Sequence, residues 1–213
     1  MKPSLTLKLT LCMLLVFAVF PLSAYQMPQP FSADMTSTMA NGDKMTGKWH
    51  FSAPAIRIDM TSVPRNSTGG PFSGNMSMII DGAKQTTYVL MPQQQMYMEF
   101  HGERQKSMPS LRDMLLMKGA DPCSGDPDTT CKKLGAETVN GRVCDKREVT
   151  HKTHGARTEW VDQKLHFPIK IQGSEGYVTE FTNIKEGAQD PSLFKVPDGY
   201  KPFSPGAFGQ QPK

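Results

Sequence analysis

Short runs that alternate apolar and polar residues, each closed within a few residues by a turn signal, recur along this chain and commit it to antiparallel β structure. Met35 to Met39 meets Asn41-Gly42, a pair that tolerates the positive φ angles of a tight turn, and Met45 to Phe51 follows as the return strand. Ile56-Arg57-Ile58-Asp59-Met60 alternates at a period of two, the mark of a half-buried strand. After the Ser-, Gly- and Pro-rich stretch 66–74 come Met76 to Ile80, the turn Asp81-Gly82, Thr86 to Leu90, a turn at Pro92 to Gln95, and Met96 to Phe100. Strands resume at Ala136 to Val139, turn at Asn140-Gly141, and continue as Arg142 to Thr150, Arg157 to Val161, Leu165 to Ile171 and Tyr177 to Ile184. About ten strands joined by short turns predict a mainly β fold, a meandering antiparallel sheet that is curved or nearly closed.

One stretch breaks this rhythm. Ser107 to Gly119 has a proline near its start, Leu111, Met114, Leu115 and Met117 at helical spacing, and a terminal glycine, which predicts a helix. A cysteine loop, Asp121 to Cys131, follows it.

The opening residues have the order of a secretory signal: Lys2 and Lys8, the apolar run Leu9 to Phe20, then Pro21, Leu22, Ser23 and Ala24. We expect cleavage after Ala24, with 1–24 as signal, 25–33 as an extended leader containing Pro28 and Pro30, 34–200 as a single β-rich domain and 201–213 as a flexible tail. The apolar run is about half the ~20 residues that cross a bilayer, so the mature chain is expected to be soluble in the periplasm or outside the cell, with no integral span. Removing Lys2 and Lys8 from the 24 basic residues leaves 22 against 20 acidic ones, and no basic run interleaved with aromatics appears. That balance argues against a nucleic-acid partner.

Cys123, Cys131 and Cys144 remain after processing, in a compartment where disulfides persist. One bridge among the three is expected. Cys131 with Cys144 is the chosen pair because Cys144 lies on a regular strand to which the preceding loop could be tied, closing a loop worth about 3 kcal/mol. Their spacing, with His151 and His154, fits no zinc motif, and prolines interrupt the aspartates at 121, 126 and 128 where a calcium loop would run. Nucleophile elbows, metalloprotease helices and phosphate loops are absent from the sequence, so no catalytic residue and no cofactor is assigned.

The last third carries a recognisable pattern: Glu159-Trp160-Val161-Asp162, Pro168-Ile169-Lys170, Phe181-Thr182-Asn183-Ile184, Asp190-Pro191-Ser192-Leu193-Phe194 and Val196-Pro197-Asp198-Gly199-Tyr200. Over roughly residues 130–200 it resembles the closing pattern of the LolA/LolB/LppX-like superfamily of bacterial envelope proteins, nearest to an uncharacterised exported branch. The resemblance implies an incomplete β barrel, a curved antiparallel sheet with one or two covering helices whose concave side takes up acyl chains or lipoprotein tails. Pro191 and Pro197 would stop the sheet, and Leu193 and Phe194 would plug its end.

Fifteen methionines, thirteen of them in the mature chain, stand out in the composition. Alternation sets Met76, Met78 and Ile80 on one side of their strand, and Met96, Met98 and Phe100 on one side of theirs. Facing inward beneath the helix, Met76, Met78, Met96, Met98, Phe100, Leu111 and Met114 would line a soft apolar pocket; the same residues serve equally as an ordinary core. The expected function is non-enzymatic binding of a hydrophobic ligand, a lipid or a lipidated envelope protein. The alternative is a structural or regulatory interaction module in the envelope that holds no ligand. A third option is cuprous copper on the thioethers of Met91, Met96 and Met98 with His101.

Overall fold

The computed structural model describes residues 29–62, 75–101, 127–153 and 155–203. Twelve strands follow one another: β1 Phe31–Thr38, β2 Lys44–Ser52, β3 Ala55–Ser62, β4 Met76–Asp81, β5 Thr86–Met91, β6 Met96–His101, β7 Thr129–Val139, β8 Arg142–His151, β9 Gly155–Asp162, β10 Phe167–Gly173, β11 Val178–Glu186 and β12 Lys201–Pro202. They form one sheet in the order β12-β6-β5-β4-β3-β2-β1-β11-β10-β9-β8-β7, antiparallel except where β12 joins β6. Among the described residues the two meanders, β1 to β6 and β7 to β11, are thus joined to each other by one ladder, β1 with β11. The sheet is curved and unclosed, so the expected incomplete barrel is the architecture observed. Among the described residues the one helical element is the 3-10 turn Pro191–Phe194; the helix expected at 107–119 lies outside them.

Tight turns set the registers. Gly42 (φ 86°) closes β1 onto β2, and Asn140 (φ 50°) with Gly141 (φ 76°) closes β7 onto β8 in the left-handed conformation such turns demand. Gln85, Gln95 and His166 adopt positive φ at the ends of three further turns, a cost these non-glycine residues accept to begin the return strand in register.

The inner face carries the core. Phe31 and Phe51 sit opposite each other, as do Trp49 and Ile58, Met35 and Phe181, and Ile58 and Met78. Phe167 joins the two meanders, with ring centroids 5.0 Å from Phe31, 6.0 Å from Trp49 and 5.2 Å from Phe181. Trp49 donates its indole N–H to the Met35 sulfur at 3.1 Å, which satisfies the one polar atom of a ring that is otherwise wholly buried.

Three boundaries differ from the sequence expectation. The extended leader ends before Phe31, because Phe31, Ser32 and Ala33 are buried within β1, opposite Glu186, Lys185 and the strand β2. The tail begins later than 201: Lys201 donates its backbone N–H to Gln95 O at 2.9 Å and Phe203 to Tyr97 O at 2.7 Å, which makes β12 a strand. The sheet therefore does not stop at Pro191 and Pro197. Instead the segment after β11 crosses the outer face, where Arg57 donates to the Leu193 carbonyl at 3.1 Å, before pairing with β6. Leu193 and Phe194 are half-buried against β3 and β4, as a strap over the outer face and not a plug in the barrel end.

The cysteine expectation is corrected as well. Cys131 lies on β7, not in a loop, and it pairs in register with Val149, whereas Cys144 on β8 pairs with Glu137. Five ladder positions, on the order of 17 Å, separate them, far beyond the reach of an S–S bond. Cys144 is a buried free thiol whose pKa burial pushes up to about 11, so it is an inert part of the core. Cys131 is disulfide-bonded, with Cys144 excluded as its partner.

Candidate functional site

The methionine face is built by three strands and two four-residue turns. Met78 pairs with Val89 across β4 and β5, and Val89 pairs with Met98 across β5 and β6, so the alternate residues Met76, Met78, Met96, Met98 and Phe100 all point to the same side. That side is the inner one, since Met78 also stands opposite Ile58 in the core row. Met78 is fully buried; Met76, Met98 and Phe100 are half-buried and pack against the core, and Met96 is half-buried beside Met91. The sheet thus grades from a closed aromatic core under β1, β2, β10 and β11 to a half-covered, thioether-rich wing on β4 to β6. Leu111 and Met114, expected to complete the lining, lie outside the described residues.

Met60 extends the wing. It pairs with Met76 on β4 and with Gly47 on β2, where a Cβ would come within 2.6 Å of the Asp59 carbonyl oxygen. Met60 was legible as one of the alternating residues of its strand, but its alignment with Met76 depends on the β3 to β4 register across the stretch 66–74. The copper set is not assembled as a group. His101 lies on the opposite face of β6 from Met96 and Met98, bonded to the Thr86 hydroxyl at 3.1 Å and facing Glu99 at 3.2 Å. Among the described residues no group of three or more His, Cys, Asp or Glu side chains is placed to hold a metal ion.

Polar groups in the β8 to β11 half are committed to one another. Glu159 is completely buried and receives Arg147 through Nε and Nη2 at 3.0 and 2.8 Å, and Arg157 through Nε at 2.6 Å. An Arg-x-Glu pair two apart on a strand shares a face, which sequence shows; the third member, Arg147, comes from the β8 to β9 register. Asp162, likewise buried, accepts the backbone N–H groups of Leu165 and Lys164 at 2.7 and 2.9 Å and pairs with Arg142, which also holds Glu186 at 2.8 Å. This cluster pins the β9 to β10 turn to the end of β11. A cavity of about 340 Å³ at Asp34, Lys48, Asn183, Ile184 and Lys185 is polar and internally paired, Asn183 donating to Asp34 at 2.8 Å, so it does not suit an apolar ligand.

Burial pushes the Asp162 carboxyl up, but the Arg142 guanidinium and the two backbone donors outweigh it and hold the group below its usual range. A carboxylate lowered in the folded state contributes stability that is whole above its unfolded value near 4 and is lost as pH falls through the folded value. Asp162→Asn should therefore lower stability at pH 7 by about 2 kcal/mol and flatten the acid limb below about pH 4. Urea titrations at stepped pH check this; a variant with the parent's acid limb would assign it elsewhere.

Residues 32–166 match the family described as "Domain of unknown function (DUF4412)". No curated protein sequence matches significantly. Among solved structures, an uncharacterized conserved protein from Thermus thermophilus aligns with a TM-score of 0.54 at 9% identity, covering 83% of this chain and 90% of that one. MucB aligns at 0.50 and 14% identity over 80% of this chain, which spans 58% of the MucB chain. A putative outer membrane lipoprotein-sorting protein domain from Vibrio parahaemolyticus aligns at 0.34 and 13% identity, covering 80% of this chain and 90% of that one. At these identities the first two show a shared fold, and the third is too distant to argue from.

Proposed function

The chain belongs to the DUF4412 family, and we propose that it acts without catalysis as an exported binding protein of the cell envelope, holding a lipid or the acyl chain of a lipidated partner. The observation that carries this reading is the gradation of the inner face. A sheet that needed only a core would bury its methionines as it buries Trp49 and Phe51, whereas Met76, Met96, Met98 and Phe100 stay half-covered on adjacent strands. Contiguous apolar surface of this kind is costly in water and is retained where a ligand covers it. Thioether side chains, unbranched and polarisable, adapt to acyl chains of varied shape, so broad affinity fits the lining better than one tight specificity. The secretory signal read in residues 1–24 would deliver the protein to a compartment where such ligands are handled.

A fluorescent fatty acid titrated into the exported protein should bind saturably. Met98→Asp, which puts a charge on the half-covered wing, should weaken binding by at least about tenfold, because an unpaired carboxylate against an acyl chain costs more than about 1.4 kcal/mol. Circular dichroism must show the variant folded. No saturable binding by the folded parent protein would end the carrier reading.

A further inference from the structure

We propose that the open edge of β7, from Lys132 to Val139, is a docking edge for an extended, acidic segment of another protein. Among the described residues β7 is the last strand of the sheet and pairs on one side only, with β8. Every residue from Lys132 to Thr138 is exposed, so a row of backbone N–H and C=O groups faces water on the far side. The large apolar side chains exposed among the described residues are Leu134 (43%) and Val143 (53%), and both belong to this terminal hairpin.

Charge selects the occupant. Lys132 and Lys133 are exposed on the edge strand and make no ion pair among the described residues, whereas Glu137 is committed to Lys146 at 2.9 Å and to the Trp160 indole N–H at 3.0 Å. A second copy would bring two such lysine-bearing edges together, an arrangement that like charges oppose. The register shift between Lys133 and Gly135, with Gly135 at φ 116°, further breaks the flat edge that indiscriminate pairing needs. Lys132 and Lys133 are consecutive in the ladder and so point to opposite faces of the sheet. A strand carrying two adjacent acidic residues, one to each face, offsets both while its backbone completes the ladder, the mode in which main-chain bonds supply affinity and side chains supply selectivity. This edge is separate from the methionine wing and does not depend on it.

The probe is a blocked Thr-Val-Glu-Glu-Val-Thr peptide, whose adjacent glutamates face opposite sides as the two lysines do, with its lysine-for-glutamate counterpart as control. Hydrogen exchange on the full exported chain should show amide protection gained within Lys132–Val139 on adding the acidic peptide and none with the lysine peptide. The double variant Lys132→Glu, Lys133→Glu, exposed and expected to fold as the parent does, should bind the acidic peptide about tenfold more weakly, as reversal of two exposed pairs predicts. Protection elsewhere on the sheet, equal binding of both peptides, or the same amides protected without peptide in a concentration-dependent dimer would each overturn the proposal.

Discussion

Phe167→Ala should cost about 3–5 kcal/mol, among the largest losses any apolar truncation in this sheet can produce. The side chain touches Phe31 and Trp49 from the first meander and Phe181 from the second, at 5.0, 6.0 and 5.2 Å between ring centroids. Its removal leaves a void at the junction that β1 and β11 alone would have to hold, because among the described residues those two strands are the only ladder between the meanders. Edge-on and tilted ring pairs add to the simple burial term, and three are lost at once. Trp49 reports the event directly: its environment loosens, so near-ultraviolet dichroism should weaken before the far-ultraviolet sheet signal does. Chemical denaturation gives the magnitude. A loss under about 1 kcal/mol would mean that the meanders are held together elsewhere.

The strands themselves were legible because their causes are local. Alternation at Ile56 to Met60, Met76 to Ile80 and Met96 to Phe100, and the Asn-Gly turns, appear in the structure where the sequence sets them. What escaped is what only long-range pairing creates. Phe31 to Ala33 follow Pro28 and Pro30 and look like a leader, yet β11, some 150 residues later, turns them into the most buried part of β1. Lys201 and Pro202 look like a tail until β6 supplies acceptors for the N–H groups of Lys201 and Phe203. Cys131 reads as a loop residue because Thr129-Thr130 stand beside the Asp-Pro pairs, whereas β7 begins at Thr129 and its register sets Cys131 opposite Val149, away from Cys144.

The candidate site divides in the same way. That Met76 and Met78 share a side, and Met96 and Met98 share a side, follows from the period of two. That the two sides are one face depends on turn lengths at 82–85 and 92–95, with Gln85 and Gln95 in a conformation their residue type does not advertise. His101 failed as a copper partner for the same reason read in reverse: an odd offset from Met96 and Met98 puts it on the other face, a consequence of alternation available in the sequence alone.

Glu159→Ala should be the most damaging single polar change, at about 3 kcal/mol. The carboxylate is wholly buried, and Arg147 and Arg157, each only 16% exposed, close on it from neighbouring positions. Deleting the carboxylate removes at least three charge-assisted hydrogen bonds and leaves two guanidinium groups side by side in a region of low dielectric. The cost lies mainly in that uncompensated charge, which distinguishes it from the truncation of an apolar residue. Removing Arg157 as well should therefore give back part of the loss, since one of the two repelling cations goes with it. Glu159→Ala with Arg157→Ala is expected to be less destabilising than the sum of the two single changes, by more than about 1 kcal/mol in a double-mutant cycle. Glu159→Gln, keeping an acceptor oxygen but not the charge, should fall between parent and alanine. Strict additivity between Glu159 and Arg157 would show that the cluster contributes through packing of its aliphatic stems, and the buried charge would then not be what holds β8 to β9 at this level of the sheet.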